Sequence, residues 1–390
     1  MRGREEFDGN TSGTEVARAF ASQIKGKNVV ITGVGPESLG EGLAVAIGGQ
    51  NPSSLILASR TESKVKQVAD KVRQLLQSTS VITVVLDLAS QKSIRAAVSQ
   101  IQGLVDRVDI LINNAGVMVL DRQLTEDGIE MQFGTNHVGH FLFTTLLMPQ
   151  LKLAASASTR GTTRIINVTS AGHRLSPIRF HDYNFEGKEI PPEERPPAGL
   201  PAMFNPASNG YNGWLAYGQS KAANILFSLY LTRHLEAAGI VSYSVHPGSI
   251  VTGLSRNLDE AGNETIMKTS AVWKDLDQGA ATMLVAAFDP ALSVVTDPAA
   301  VYLSDCQFAK TAPHAVDVEV AERLVKLSEE LNNDWRNKAE KWAQAESVVG
   351  GPTQPEEKCY RIDVHRYRIG KRKGGLDQVF ADSIGPASDA

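Results

Sequence analysis

Tyr217 and Lys221 stand four residues apart in YGQSK, within a helical run that continues through YGQSKAANILFSLYLTRHL. That spacing puts both side chains on one helix face. A free phenol, with a pKa near ~10, is a poor acid or base at neutral pH. A neighbouring ammonium favours the phenolate, which predicts a lowered pKa for Tyr217 and a phenol able to exchange protons. Such a pair also arises by chance as two solvent-facing side chains, so its meaning depends on what else reaches it. Ser170 closes a strand in TRIINVTSAGH (163–173), Asn136 lies in the helical stretch MQFGTNHVGHFLF (131–143), and VHPGSIVTG (245–253) follows a further strand. In open α/β sheets ligands bind outside the carboxyl ends of the strands, and these segments all converge there.

Other segments carry dinucleotide chemistry. Gly33, Gly35, Gly40 and Gly42 occur in ITGVGPESLGEGLA (31–44), directly after a strand and opening a helix. Glycines there allow a tight turn, bring backbone N–H groups close to a diphosphate, and place it on the helix dipole. Arg60 and Lys64 lie in LASRTESK (57–64), where an adenosine ribose would be read, with no acid before Glu62. Two cations there favour the 2′-phosphate of NADP over the 2′-hydroxyl of NAD. The competing reading is a solvated helix start. Asp87, in LDLAS (86–90), would accept from the adenine amine or cap the next helix. In NNAG (113–116), the asparagines would tie strand ends together and Gly116 would permit close approach.

Several residues carry bland expectations. His137 and His140 are three apart without a third ligand, so packing outweighs zinc. His173 either borders the substrate pocket or is structural, and His246 caps a strand. Phe204, Tyr211 and Trp214 precede Tyr217 and either line an apolar pocket or pack.

The elements that must position these residues alternate along the chain. Short, mostly apolar runs at 27–32, 54–59, 83–88, 108–113, 163–169 and 240–246 read as strands of a sheet covered on both faces. Helical patterns at 40–50, 61–77, 90–102, 127–151 and 214–238 lie among them. The predicted fold is α/β: a doubly wound Rossmann-type parallel sheet in a single domain. Residues 1–24 read as a lead-in with one helical stretch and 25–349 as the dinucleotide-binding domain. Residues 176–213, rich in proline, read as a long substrate-side loop, and 350–390 as a flexible C-terminal tail.

Composition sets the outer bounds. The chain has 390 residues, 42% hydrophobic and 21% charged, which excludes a wholly disordered or coiled-coil protein. A net charge of -4 gives no reason to expect nucleic acid. Two distant cysteines, Cys306 and Cys359, form no disulfide framework. The polar start and the short apolar runs predict no secretory signal and no membrane span, hence a cytoplasmic protein.

Taken in order, the glycine turn, NNAG, Asn136, Ser170, YxxxK and the PG loop resemble the short-chain dehydrogenase/reductase family. NHVGHFLFT (136–144), IINVTSAGHR (165–174), AYGQSKAANILF (216–227) and VHPGSIVT (245–252) are similar to its retinol dehydrogenase-like and WW-domain-containing-oxidoreductase-like branch, without a WW domain. VYLSDCQ (301–307) and AERLVKLSEEL (321–331) resemble its fungal-type members. The likeness covers about residues 24–332.

The resemblance implies Tyr217 as general acid/base, and Lys221 as the group that lowers its pKa and holds the nicotinamide ribose. It implies Ser170 positioning the substrate oxygen, and Asn136 orienting Lys221 through water. It further implies NADP (as NADPH) contacted by Gly33, Leu39, Gly40 and Gly42 at the diphosphate. Arg60, Lys64 and Asp87 would contact the adenosine. Asn114, Gly116, Tyr217 and Lys221 would lie beside the ribose and nicotinamide, with Pro247, Gly248, Ile250 and Thr252 in the closing loop. The implied reaction interconverts an alcohol and a ketone or aldehyde on a lipophilic small molecule, with specialised metabolism among the settings. The alternatives are a C=C reductase on the same fold and a non-catalytic dinucleotide-binding scaffold. Homo-oligomers in the family pair through the helices carrying Asn136 and Tyr217.

The sequence departs from the family twice. Six residues, Val34 to Leu39, separate Gly33 from Gly40, where three are usual. Ser170 and Tyr217 are 47 positions apart, which makes the proline-rich loop the expected substrate-selecting decoration.

Overall fold

The computed structural model describes residues 6–75, 80–201, 204, 210–254, 258–268, 270–295, 297 and 299–332. The tail expected at 350–390 lies outside the described residues. Eight strands form one sheet in the order β3-β2-β1-β4-β5-β6-β7-β8. β1 (Asn28–Thr32), β2 (Ser54–Ser59), β3 (Ser80–Val85), β4 (Ile110–Asn113), β5 (Thr163–Val168), β6 (Ile240–His246) and β7 (Tyr302–Ser304) run parallel, and β8 (Gln307–Phe308) is antiparallel at the edge. β5 is buried at every position, as a central strand under two helical layers must be. The third strand occupies 80–85 rather than the expected 83–88. Its only partner, β2, ends at Ser59 opposite Val85, so Leu86 and the residues after it leave the ladder. β7 and β8 escape sequence reading because they are three and two residues long. Their turn places Asp305 and Cys306 at φ 52° and 64° without a glycine to announce it.

Helices cover both faces. α1 (Gly13–Ala19), α3 (Leu39–Gly48), α4 (Glu62–Leu75) and α11 (Leu276–Phe288) share one core cluster with Val29 and Ile31 of β1, while Val30 between them points to the other face. The opening segment belongs to this core: Val16 and Ile24 are wholly buried, the latter in α2 (Ala21–Ile24), and Phe7 meets Phe20 edge-on at 5.7 Å. α5 (Gln91–Leu104) packs on α7 (Gly139–Leu146), and α9 (Gly213–Leu235) packs on β5 and β6. The single helix expected at 127–151 is broken into α6 (Met131–Phe133), a π-helical turn (Gly134–Val138), α7, and α8 (Met148–Ser156). Glycines flank the π turn because neighbours press close; a Cβ on Gly139 would sit 2.4 Å from the Leu88 carbonyl oxygen. The remaining helices are α10 (Glu260–Lys268) and α12 at 318–332.

The described residues of 176–212 form an irregular connection that includes a 3₁₀ turn at Pro192–Glu194. Buried acids pin it. Asp182 pairs with Arg179 at 2.7 Å and accepts from the Glu186 amide at 2.6 Å, and Glu194 accepts from the His181 amide at 3.0 Å. Among the described residues, no helix is long and apolar enough to cross a membrane.

Candidate active site

A cleft of about 330 Å³ opens at the carboxyl ends of β1, β2, β4, β5 and β6, large enough for a small organic ligand. Its floor begins at Gly33. This residue has φ +74°, and a Cβ there would lie 2.6 Å from the Ala115 Cα, so only glycine fits. The longer turn is folded back by Ser38. Its hydroxyl donates to the Gly35 carbonyl at 2.7 Å and accepts from the Gly35 and Glu41 amides at 3.1 and 3.3 Å. Ser38 is thereby the N-cap of α3, whose first residues carry the partial positive charge expected to face a diphosphate.

The turn is locked to the Asn113–Gly116 segment by Thr32. His140 Nδ1–H donates to the Asn136 carbonyl at 3.0 Å, so its Nε2 accepts from the Thr32 hydroxyl at 2.9 Å. The same hydroxyl oxygen accepts from the Asn114 and Ala115 amides, each at 3.0 Å. Asn114 Nδ2 donates to the Thr32 carbonyl at 2.8 Å, and Asn113 Nδ2 reaches Asn167 of β5 at 2.9 Å. The asparagines tie three strand ends, as their placement predicts.

Tyr217 and Lys221 lie on one face of α9, with the Lys221 Nζ 5.6 Å from the phenol ring centroid. Both are buried and line the cleft with Ser170. The expected depression of the Tyr217 pKa is absent in the protein by itself. Burial pushes it up to about 12, and a hydrogen bond from Ser170 only partly opposes this. Burial likewise lowers Lys221 to about 8. The Lys221 ammonium donates to the Val168 carbonyl at 3.1 Å, where Asn224 Nδ2 also donates at 2.9 Å. Asn136 sits in the π turn and is wholly buried. Its side chain is engaged by the Val117 amide and carbonyl at 2.8 and 3.0 Å and by Ser220 at 3.0 Å, behind the cleft wall. A Cβ on Gly116 would lie 3.4 Å from the Lys221 Nζ and 3.5 Å from the Asn136 Oδ1, so these two groups border the same gap.

Leu39, Arg60, Lys64, Asp87, Asn114, Gly116, Pro247, Gly248, Ile250 and Thr252 all line the cleft. Gly40 and Gly42 stand behind it. A Cβ on Gly40 would meet the Gly33 carbonyl at 2.6 Å, and one on Gly42 would meet the Leu276 carbonyl at 2.9 Å, so both serve close packing of α3. Asp87 both lines the cleft and caps its own turn, accepting from the Ala89 amide at 2.9 Å. His246, expected at a strand end, also lines the cleft.

The wall around the phenol is apolar: Met118, Tyr217 and Leu258 form a cluster, with Leu120, Trp214, Leu254 and Ile266 packed against it. Met118, Leu120, Leu258 and Ile266 carry no motif, and only the docking of α10 over Leu120 assembles them. The aromatic triplet divides. Trp214 joins this wall, whereas Tyr211 packs with Phe185 and donates to buried Glu130 at 3.0 Å. No described residue of 176–213 lines this cleft. His137, wholly buried, bonds Ser328 of α12 at 2.8 Å.

The short chain dehydrogenase family model matches residues 27–184. An oxidoreductase of Fusarium equiseti, fscI, is 38% identical over 62% of this chain and 94% of its own length. Human retinol dehydrogenase 11 is 34% identical over 79% of this chain and 86% of its own. Among solved structures, an uncharacterised protein from Mycobacterium paratuberculosis is 29% identical, with a TM-score of 0.57 over 80% of this chain and 94% of that one. A Burkholderia cenocepacia short chain dehydrogenase in complex with NADP shares the fold at 20% identity, with a TM-score of 0.52 over 72% and 97%.

Proposed function

This chain belongs to the short-chain dehydrogenase/reductase family, in its retinol dehydrogenase-like branch, and from that premise we propose that it is an NADPH-dependent reductase of lipophilic aldehydes or ketones. The observation that carries the reading is the convergence of Tyr217, Ser170 and Lys221 on one side of the cleft, beneath an apolar wall. The residues present fit the cofactor: a turn with no room for a Cβ at Gly33, a capped helix N-terminus, and Arg60 and Lys64 at the far end. Bound there, NADPH would supply the hydride.

The chain's own residues supply the rest. Tyr217, kept protonated by burial, donates its phenolic proton to the carbonyl oxygen as the alcohol forms. The Ser170 hydroxyl holds the same oxygen and orients it. The Lys221 ammonium stabilises the phenolate left behind, and its fixed bond to the Val168 carbonyl costs no reorganisation during the reaction. Asn136 holds Val117, in the segment after β4, and Ser220, and so sets the gap beside Gly116. Leu254 lines the cleft beside Tyr217, and Met118, Leu120, Trp214 and Leu258 pack around the phenol, surroundings that suit an apolar substrate. Cys306 is free and buried, which fits a reducing compartment, and the cytoplasm is the location proposed.

The test uses the purified chain, NADPH and a panel of straight-chain aldehydes from hexanal to dodecanal with aryl ketones. Tyr217→Phe is expected to lower turnover by about 10²–10⁴-fold while leaving NADPH affinity near wild type. Equal turnover in the two proteins refutes the acid role.

A further inference from the structure

The turn that carries Ser170 is held from a direction the chemistry above does not use. Ser170 is the N-cap of the 3₁₀ turn Ala171–Leu175, and its hydroxyl accepts from the Gly172 amide at 3.1 Å. One side of the turn rests on α9. A Cβ on Gly172 would lie 3.1 Å from the Tyr217 ring, so the two catalytic elements are in direct contact there. The other side is clasped by residues 310–314, over a hundred positions away in sequence.

His173 is the centre of the clasp and is wholly buried. Its Nδ1 lies 2.7 Å from the Ser170 carbonyl oxygen, which can only accept, so Nδ1 carries the proton. Its Nε2 accepts from the Ala312 amide at 3.1 Å, which holds that tautomer in place. His314 Nε2–H donates to the His173 carbonyl at 2.8 Å, and the Arg174 guanidinium donates to the Lys310 carbonyl at 2.7 Å. Tyr302 of β7 meets the His173 ring edge-on at 5.2 Å.

We propose that His173 is a positioning residue for Ser170, and that residues 310–314 form a strut which fixes its neutral Nδ1–H tautomer and hence the direction of the Ser170 hydroxyl. The inference rests on reading Ser170 as the group that holds the substrate oxygen. The charged and titratable groups around the ring work with it: Arg174, His314 and His246 disfavour a second positive charge, and burial disfavours it most. A protonated His173 would turn Nε2 into a donor facing the Ala312 amide donor, and the clasp would open.

The variants separate the two ends of the ring. In His173→Asn the side-chain amide keeps a donor where Nδ1 stands, and turnover of the fastest panel carbonyl stays within about threefold of wild type. His173→Leu keeps volume without the donor, and turnover falls at least tenfold at unchanged NADPH affinity. Ala312→Pro removes only the strut's donor; Ala312 has φ −68°, already a proline value. In that variant the acid limb of turnover moves up from about 4 towards the ordinary histidine value near 6.5. A merely structural role would lower folded fraction and turnover together in every variant and leave the pH profile unmoved, which would overturn the proposal.

Ser170→Ala run in parallel keeps the premises apart. Wild-type turnover there refutes the Ser170 reading, whereas inactive Ser170→Ala beside fully active His173→Leu refutes the strut alone. Nitrogen NMR of His173 in the wild-type protein needs no substrate. An Nε2 that stays unprotonated down to about pH 5, with the proton on Nδ1, is expected, and an Nε2-protonated ring, or titration near pH 6.5, overturns the proposal.

Discussion

Lys221 and Arg60 show how side chains of one charge sign differ with their surroundings. Lys221 is buried, and its pKa is lowered to about 8, so the charge proposed to stabilise the Tyr217 phenolate is present below that pH and is lost above it. Tyr217, raised to about 12, remains protonated throughout. Reduction is therefore expected to fall by about tenfold per pH unit above pH 8, and a rate profile from pH 6 to 10 checks it. Arg60 and Lys64 stay exposed on the cleft rim, and among the described residues neither is paired with a carboxylate. A charge-assisted bond to a phosphate contributes roughly 1.5–3 kcal/mol, so Arg60→Asp should weaken NADPH binding by about 10- to 100-fold. NADH binding, titrated by fluorescence in the same variant, should change little. The residues proposed for this chemistry are legible in the sequence because their types and spacing are specific. Thr32, His140 and Asn224, which hold them, are not. A threonine ending a strand and a histidine on a helix have no signature until Asn114, Ala115 and Val168 are brought to them.

At the scale of elements, the break in the Asn136 helix was the feature least visible in advance. Its residues are apolar and continuous enough to read as one helix, and the π turn exists because Gly134 and Gly139 let neighbouring chain come within contact. Gly139→Ala would drive a Cβ against the Leu88 carbonyl, behind the wall that Asp87 and Ala89 give the cleft. The expected cost is about 1–3 kcal/mol in urea denaturation, the usual scale for overpacking. Gly103→Ala, in α5 with nothing within 4 Å of the added carbon, should move stability in the opposite direction, by up to about 1 kcal/mol. The apolar wall over Tyr217 is likewise a product of docking, since α10 must land on Leu120 before Leu258 and Ile266 belong to any site.

Across the whole molecule, one sheet gathers the site and a second set of contacts closes it. α12 reaches back to His137 through Ser328, and Gln91 of α5 donates to the Leu331 carbonyl at 3.2 Å. A second copy pairing through the helices of Asn136 and Tyr217 would have to displace this cover. The same burial makes the fold acid-sensitive. His137, His140 and His173 are neutral when folded, with pKa values lowered from 6.5 to about 3, 4 and 4, chiefly by burial. Between pH 6.5 and about 4 only the unfolded chain takes up these protons, so stability is intact above that window and declines as pH falls through it. Each histidine contributes at most about 1.4 kcal/mol per pH unit, and urea midpoints at pH 7, 6 and 5 should fall accordingly. Unchanged midpoints would show that these rings are not held neutral.

The order of motifs along the chain determined the fold class, the family and the end of the sheet at which the candidate site lies. Local chemistry sufficed, because strand-end glycines, a four-residue helix spacing and β-branched runs act through neighbours a few positions away. Tertiary structure alone decided which glycines face the cleft and which pack α3. It also raised the pKa of Tyr217, which depends on how much water the whole fold removes. It gathered Met118, Leu120, Trp214 and Leu258 around Tyr217, and it brought residues 310–314 to the turn of Ser170. Those outcomes depend on segments far apart in sequence meeting at a desolvated surface, and no short pattern of residues encodes that meeting.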